Sequence, residues 1–198
     1  MKFADLDLSK TYTYADYFKW QFEERVELIK GKIFRMSPAP SRIHQKITGV
    51  LHARLWTFLE DKPCEVYDAP FDVRIPRRSK DDKEIITVLQ PDVCVICDLG
   101  KLDKRGCLGA PDIVVEVLSP GNNAKELRNK YAVYEEAGVK EYWIVSPQDQ
   151  WLRVHTLVDD KFIESPYYIP GDNVTSGVLP SFSLSLADLF KGIDPNDC

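Results

Sequence analysis

Glu116 stands inside the apolar run at residues 113–118 (IVVEVL), flanked by Val115 and Val117, and this placement narrows the folds open to the chain. Unless the strand lies at a sheet edge or ends there, a carboxylate so placed carries a large desolvation cost, and the fold must bring polar partners to it. A second acid, Asp92, heads the run at residues 93–97 (VCVIC). Asp112 shares the face of Glu116, but four residues at about 3.3 Å each separate them by roughly 13 Å, too far to hold one ion. Asp92 belongs to a different strand and can come closer, because adjacent strands lie only about 4.8 Å apart. Hard oxygen donors of this kind select Mg2+ or Mn2+ rather than zinc.

The rest of the chain supplies the setting. Residues 12–24 read as a short helix with Tyr14, Phe18 and Phe22 at helical spacing, and residues 26–36 as a hairpin turning at Lys30 and Gly31. After a break at residues 37–41, Ile43, Ile47, Val50, Leu51, Leu55, Phe58 and Leu59 form one stripe of a long helix. Three strand-like stretches follow at 65–75, 86–97 (with a turn near Gln90 and Pro91) and 112–118. A second helix spans about 124–137, with Asn123 as N-cap, Glu126 completing a capping box and Gly138 closing it. Residues 140–146 make a buried type of strand, 151–157 and 161–164 a further hairpin, and 184–190 a short helix. The order helix, three strands, helix, strand predicts an α/β or α+β core around one mixed sheet, with extra hairpins at both ends.

With 198 residues, 44% hydrophobic and 29% charged, the chain is expected to form one domain: a helical extension at 1–24 and a folded body at 25–190. No apolar run is long enough to span a membrane, and no signal segment opens the sequence. Cys64, Cys94, Cys97, Cys107 and Cys198 lack a disulfide-framework spacing, so a cytoplasmic location is expected. Cys94 and Cys97 project to opposite faces of a strand, which disfavours zinc and favours core thiols. A net charge of −5 excludes a generally basic nucleic-acid binder. The basic stretches at 74–83, 101–105 and 125–130 read first as solvated surface.

Lys130 lies about 60° around the second helix from Leu127, whose face with Tyr131 and Tyr134 turns inward. It can reach towards the sheet, although the ordinary role of such a lysine is to cover apolar surface with its stem. Beside two carboxylates and a metal, its ammonium can orient a water or stabilise a phosphoryl transition state.

These residues, in this order, resemble the PD-(D/E)XK restriction-endonuclease-like superfamily. From about residue 26 to 190, the segments ELIKGKIFRMSPAPSRIHQ, APFDVRI, QPDVCVICD, GAPDIVVEVLSPGN and KYAVYEEAGVKEYWIVSP resemble more closely the bacterial Uma2 (DUF820) family of endonucleases. The resemblance implies that Asp92, Glu116 and the Val117 carbonyl hold the metal. Leu118 occupies the superfamily's lysine position, and the resemblance implies that Lys130, on the following helix, takes its place. It further implies a Mg2+- or Mn2+-dependent endonuclease acting on DNA, and a homodimer. Glu27 and His44 match family positions and Gln90 shares the face of Asp92, so all three are candidate supporting residues. A surface hairpin position for Glu27 and a structural helix-start role for His44 are the plainer readings. Asp72 reads as structural, and Tyr142 and Trp143 as packing. Arg77, Arg78, Lys125 and Arg128 are candidate phosphate contacts. The competing functions are a catalytically silent scaffold binding DNA or a protein through the same sheet, and a small-molecule enzyme using the same acids.

Overall fold

The computed structural model describes residues 3–36, 41–119 and 124–194, with side chains from 127 onward in the last stretch. Asn123 and Cys198, and the side chains of Lys125 and Glu126, lie outside the described residues. Near the start, Tyr14–Tyr17 form a single helical turn, α1, whose Thr13 N–H donates to Asp16 Oδ2 at 2.9 Å. The helix expected over 12–24 is therefore much shorter. Phe18 is left 60% exposed, and Trp20 and Phe22 stack on each other instead of lining a helix face. The hairpin β1 (Val26–Ile29) and β2 (Lys32–Arg35) turns as expected, through Lys30 and Gly31 at φ 51° and 78°. Gly31 is required there on a second count, because a Cβ would meet Thr11 Cγ2 at 2.2 Å.

Ser41 caps α2 (Arg42–Leu59) by accepting from the His44 N–H at 3.2 Å. The expected stripe is its buried face, with Ile43, Ile47, Leu51, Leu55 and Leu59 inside. The stretches at 65–75 and 86–97 each divide in two, giving β3 (Glu65–Asp68), β4 (Val73–Arg74), β5 (Val88–Leu89) and β6 (Val93–Ile96). Pro70 and Pro91 stand at the two breaks, where a residue without an N–H cannot continue a ladder. The hairpin β7 (Leu102–Asp103) and β8 (Gly106–Leu108) precedes β9 (Ile113–Val117), α3 (Ala124–Ala137) and β10 (Glu141–Ser146). A last hairpin, β11 (Trp151–Val158) and β12 (Lys161–Glu164), is followed by the pair β13 (Asn173–Thr175) and β14 (Ser183–Ser185) and by α4 (Leu186–Leu189). The terminal helix expected over 184–190 is thus one turn long, because Leu184 pairs with Val174 in a ladder.

The central sheet runs β12-β11-β10-β9-β6-β3, with β9 and β10 parallel and the other pairs antiparallel. The order α2, β3, β6, β9, α3, β10 is the one expected, and the class is mixed α+β. A second six-stranded sheet, β2-β1-β5-β4-β8-β7, gathers the first hairpin and the detached strand halves. Side chains alternate across the central sheet. Val93, Val95, Val115 and Trp143 pack beneath α2, whereas Cys94, Val114 and Tyr142 meet Val133 and Tyr134 of α3 and Ile29 and Val73 of the second sheet. Both Tyr142 and Trp143 are core residues, as expected.

Cys97 is not the free core thiol that its strand position suggests. Cys64 and Cys97 form a disulfide across 33 residues of sequence, immediately outside the β3–β6 register pair Glu65↔Ile96. Sequence spacing hides such a pair, because antiparallel register is what makes its members neighbours. Cys94 and Cys107 are buried free thiols. No helix among the described residues is long and apolar enough to cross a membrane.

Candidate active site

Antiparallel register sets the first two acids side by side. Val93 pairs with Val115 and Cys94 with Val114, so one further step places Asp92 opposite Glu116. Asp92 lies just before β6, where its Oδ2 accepts from the Val117 N–H at 2.7 Å and contacts His44 Nε2 at 3.2 Å. The Asp92 side chain keeps 16% of its surface exposed, whereas Glu116 is held inside. Lys130 rises from α3 onto both Glu116 oxygens, at 3.0 and 3.1 Å, and Tyr134, one turn further on, donates to Oε1 at 2.8 Å. Glu27 of β1 closes the group from the second sheet, its Oε1 3.1 Å from Lys130 Nζ. The sequence left open whether Glu27 was a surface hairpin residue, and in the fold it is buried.

The electrostatics follow from one ammonium among three carboxylates. Burial is the largest influence on Glu116 and raises its pKa, with Asp92 and Glu27 adding to the shift and Lys130 only partly opposing it, to about 8. Burial works against the charged form of Lys130, but Glu116 and Glu27 outweigh it and keep the group cationic, its pKa raised. His44 behaves in the same way. Burial lowers its pKa, yet the bond to Asp92, the charges of Asp92 and Glu116 and the Val117 carbonyl leave it raised. Tyr134 is pushed well up by burial and by Glu116, so it remains a donor.

A second tier holds these groups. The Gln90 N–H donates to Glu27 Oε1 at 2.8 Å, and Gln90 Nε2 donates to Tyr17 Oη at 3.1 Å and Asp72 Oδ1 at 2.9 Å. Arg25 Nη2 donates to Gln90 Oε1 at 2.8 Å. Tyr134, Arg25 and Tyr17 were not singled out in the sequence. Tyr134 carried a signal, since it lies one turn beyond Lys130 on the same helix, but Arg25 and Tyr17 carried none. Among the proposed phosphate contacts, Arg77 donates to Glu136 at 2.7 Å, about 9 Å along α3 from Lys130. Arg78 and Arg128 are exposed. The structure therefore gathers Asp92, Glu116, Val117, Lys130, Glu27, His44 and Gln90, but not Arg77.

The donor chemistry fits a hard divalent cation. Asp92 and Glu116 offer carboxylate oxygens, and the buried Glu27 Oε2 has no partner among the described residues. With all three acids ionised, the carboxylates and one ammonium carry a formal charge of −2, which one such ion cancels. No group of three or more His, Cys, Asp or Glu side chains able to hold a metal occurs among the described residues. Asp92 and Glu116 are the candidate side-chain ligands, and Mg2+ commonly retains several waters.

Sheet order and clustered acids together define a restriction-endonuclease-like α+β protein. The sequence matches the model of the Uma2 family, described as "Putative restriction endonuclease", over residues 14–187, and the chain belongs to that family. The uncharacterized protein slr1290 of Synechocystis sp. (strain ATCC 27184 / PCC 6803 / Kazusa) is 25% identical over 148 residues, covering 73% of this chain and 74% of that protein. A crystal structure from Anabaena variabilis ATCC 29413, described as a "putative nuclease belonging to DUF820", shares the fold with a TM-score of 0.70 at 19% identity. That similarity covers 90% of this chain and 97% of the Anabaena chain.

Proposed function

We propose that this protein is a Mg2+- or Mn2+-dependent nuclease that hydrolyses phosphodiester bonds in DNA. The observation supporting it best is the cross-strand alignment of Asp92 with Glu116, together with Lys130 held between Glu116 and Glu27. Asp92, Glu116 and the Val117 carbonyl would hold the ion, which when bound lowers the pKa of a water and offsets charge on the phosphate. Lys130 stays an ammonium, so its part is electrostatic: it fixes Glu116 and places positive charge where the phosphoryl oxygens gain negative charge. His44 keeps Asp92 and the Val117 carbonyl in place and can carry a proton between the site and solvent. Cutting both strands of a duplex calls for two sites, and the proposal includes a homodimer.

Titration calorimetry with Mn2+ tests the metal site without a guess at substrate. Wild type is expected to bind, and Asp92→Asn and Glu116→Gln each to lose binding. In a DNA cleavage assay the same variants are expected to fall by about 100-fold or more. Cleavage by both variants at the wild-type rate would overturn the proposal. A silent scaffold is the second reading, favoured by one observation: Lys130 already engages both oxygens of Glu116. It predicts DNA binding with no metal uptake up to millimolar concentration.

A further inference from the structure

A cavity of about 640 Å3 shares Gln90 with this network. Cavities of this size accept small organic ligands. One wall is aromatic: the Tyr67 and Phe71 rings stack on each other at 4.3 Å between centroids with 9° between planes. Phe18, 60% exposed, is a further aromatic lining residue. Tyr14 lines the cavity too, fully buried, and its hydroxyl has no hydrogen-bond partner among the described residues. Behind it Arg74, also fully buried, has its guanidinium carbon 5.2 Å from the Tyr14 ring centroid and leaves Nε and Nη1 unpartnered. On the polar side, Tyr17 and Gln90 both donate to Asp72 Oδ1, so Oδ2 receives neither of those bonds. The rim is fixed by Gly106, where a Cβ would meet the Asp72 carbonyl at 2.3 Å, and it carries the exposed Lys104.

We infer that this cavity receives a single unpaired nucleobase, displaced from the strand whose phosphodiester lies at Asp92 and Glu116. The inference rests on the nuclease reading and names a feature of its substrate. Flat aromatic walls suit a planar heterocycle, as every base has a face that can stack. The Asp72 carboxylate suits the polar edge of a base that has left its pair. Lys104 is placed for the phosphate outside. The catalytic network is one wall away, since the Gln90 N–H and Lys130 both contact Glu27 Oε1.

The test compares two labelled DNA duplexes on the full chain in EDTA: one fully paired, the other identical except for one unpaired 2-aminopurine nucleotide. The unpaired duplex is expected to bind at least fivefold more tightly, with 2-aminopurine emission changing as the base stacks. Phe18→Ala, at an exposed position, and Phe71→Leu, which retains bulk, are each expected to abolish that preference and leave the paired duplex unchanged. Equal affinity of wild type for the two duplexes, or an equal loss on both in the variants, would overturn the inference. A cleavage assay in Mn2+ separates this result from the parent reading. Cleavage of paired duplex without any preference removes the pocket and leaves the nuclease. Preference without cleavage supports the pocket and removes the nuclease.

Discussion

Asp112 and Glu116 lie on the same strand face and each meets one lysine, yet their environments drive them in opposite directions. Asp112 Oδ1 lies 2.7 Å from Lys140 Nζ, and its Oδ2 accepts from the Cys97 N–H at 2.7 Å. Burial pushes its pKa up, but Lys140 and that N–H outweigh it, and the carboxyl stays below its ordinary range. Glu116 meets a buried lysine and two further acids, and burial wins. The difference lies in the lysines: the Lys140 side chain is 62% exposed and that of Lys130 is 5% exposed. A lysine held in water with one buried acid settles that acid's charge. A lysine drawn inside among several acids leaves an excess that only a proton or another cation removes. The first arrangement ties strands together, and the second is the kind found where chemistry is done.

The largest expected effect separates the two lysines. Lys130→Met strands Glu27 and Glu116 in the interior and should cost about 3–5 kcal/mol in urea unfolding of the metal-free protein. Lys140→Met should cost less, about 1 kcal/mol, because its ammonium is held in water and Asp112 keeps the Cys97 N–H. Equal losses would dissolve the contrast. Next, Asp112→Asn removes a charged acceptor from the Cys97 N–H and should cost about 1.5–3 kcal/mol while Mn2+ binding stays at the wild-type level. Loss of metal binding in that variant would bring Asp112 into the site.

The last contrast is a pH dependence with two opposite slopes. Asp112 has a depressed pKa, so the stability it contributes is present above its unfolded value of 3.8 and is lost as pH falls below it. Glu116 has a raised pKa, so the native state keeps a proton that the unfolded chain releases above 4.5. Stability in EDTA should therefore fall as pH rises from 4.5 to about 8. His44, also raised, acts in the same sense above 6.5. Thermal unfolding from below pH 3.8 to about 8 should show Glu116→Gln flattening only the upper slope and Asp112→Asn only the lower. An unchanged upper slope in Glu116→Gln would show that another group sets it.

Much of this was legible because it follows local rules. The stripe from Ile43 to Leu59, the turn at Lys30 and Gly31 and the alternation through Tyr142 and Trp143 are all read within a few residues. Asp92 and Glu116 were legible for a different reason: a charge among apolar residues advertises that something distant must meet it, whereas Lys130 was read from its place beside the inward face of its helix. What that something was could not be read in detail. Glu27 is buried because the second sheet folds over it, and the hairpin pattern alone describes either an inner or an outer strand. Tyr17, Arg25 and Asp72 meet at Gln90 from three separate segments, a convergence without local signal. Cys97 found Cys64 in the same way, through strand register. Arg77 looked free in a basic stretch, but Glu136 reaches it from a helix about 60 residues away in the sequence.

Val117 takes part in the site without its side chain, which lies in the core beneath α2. Its N–H holds Asp92 and its carbonyl faces His44. Evolution can therefore exchange Val117 for Ile or another residue of that bulk without touching these bonds, and a search for function that ranks positions by residue identity would pass over it. Proline is the exception, since it would delete the N–H and release Asp92. A position can thus hold a buried carboxylate through its backbone and still accept other apolar side chains.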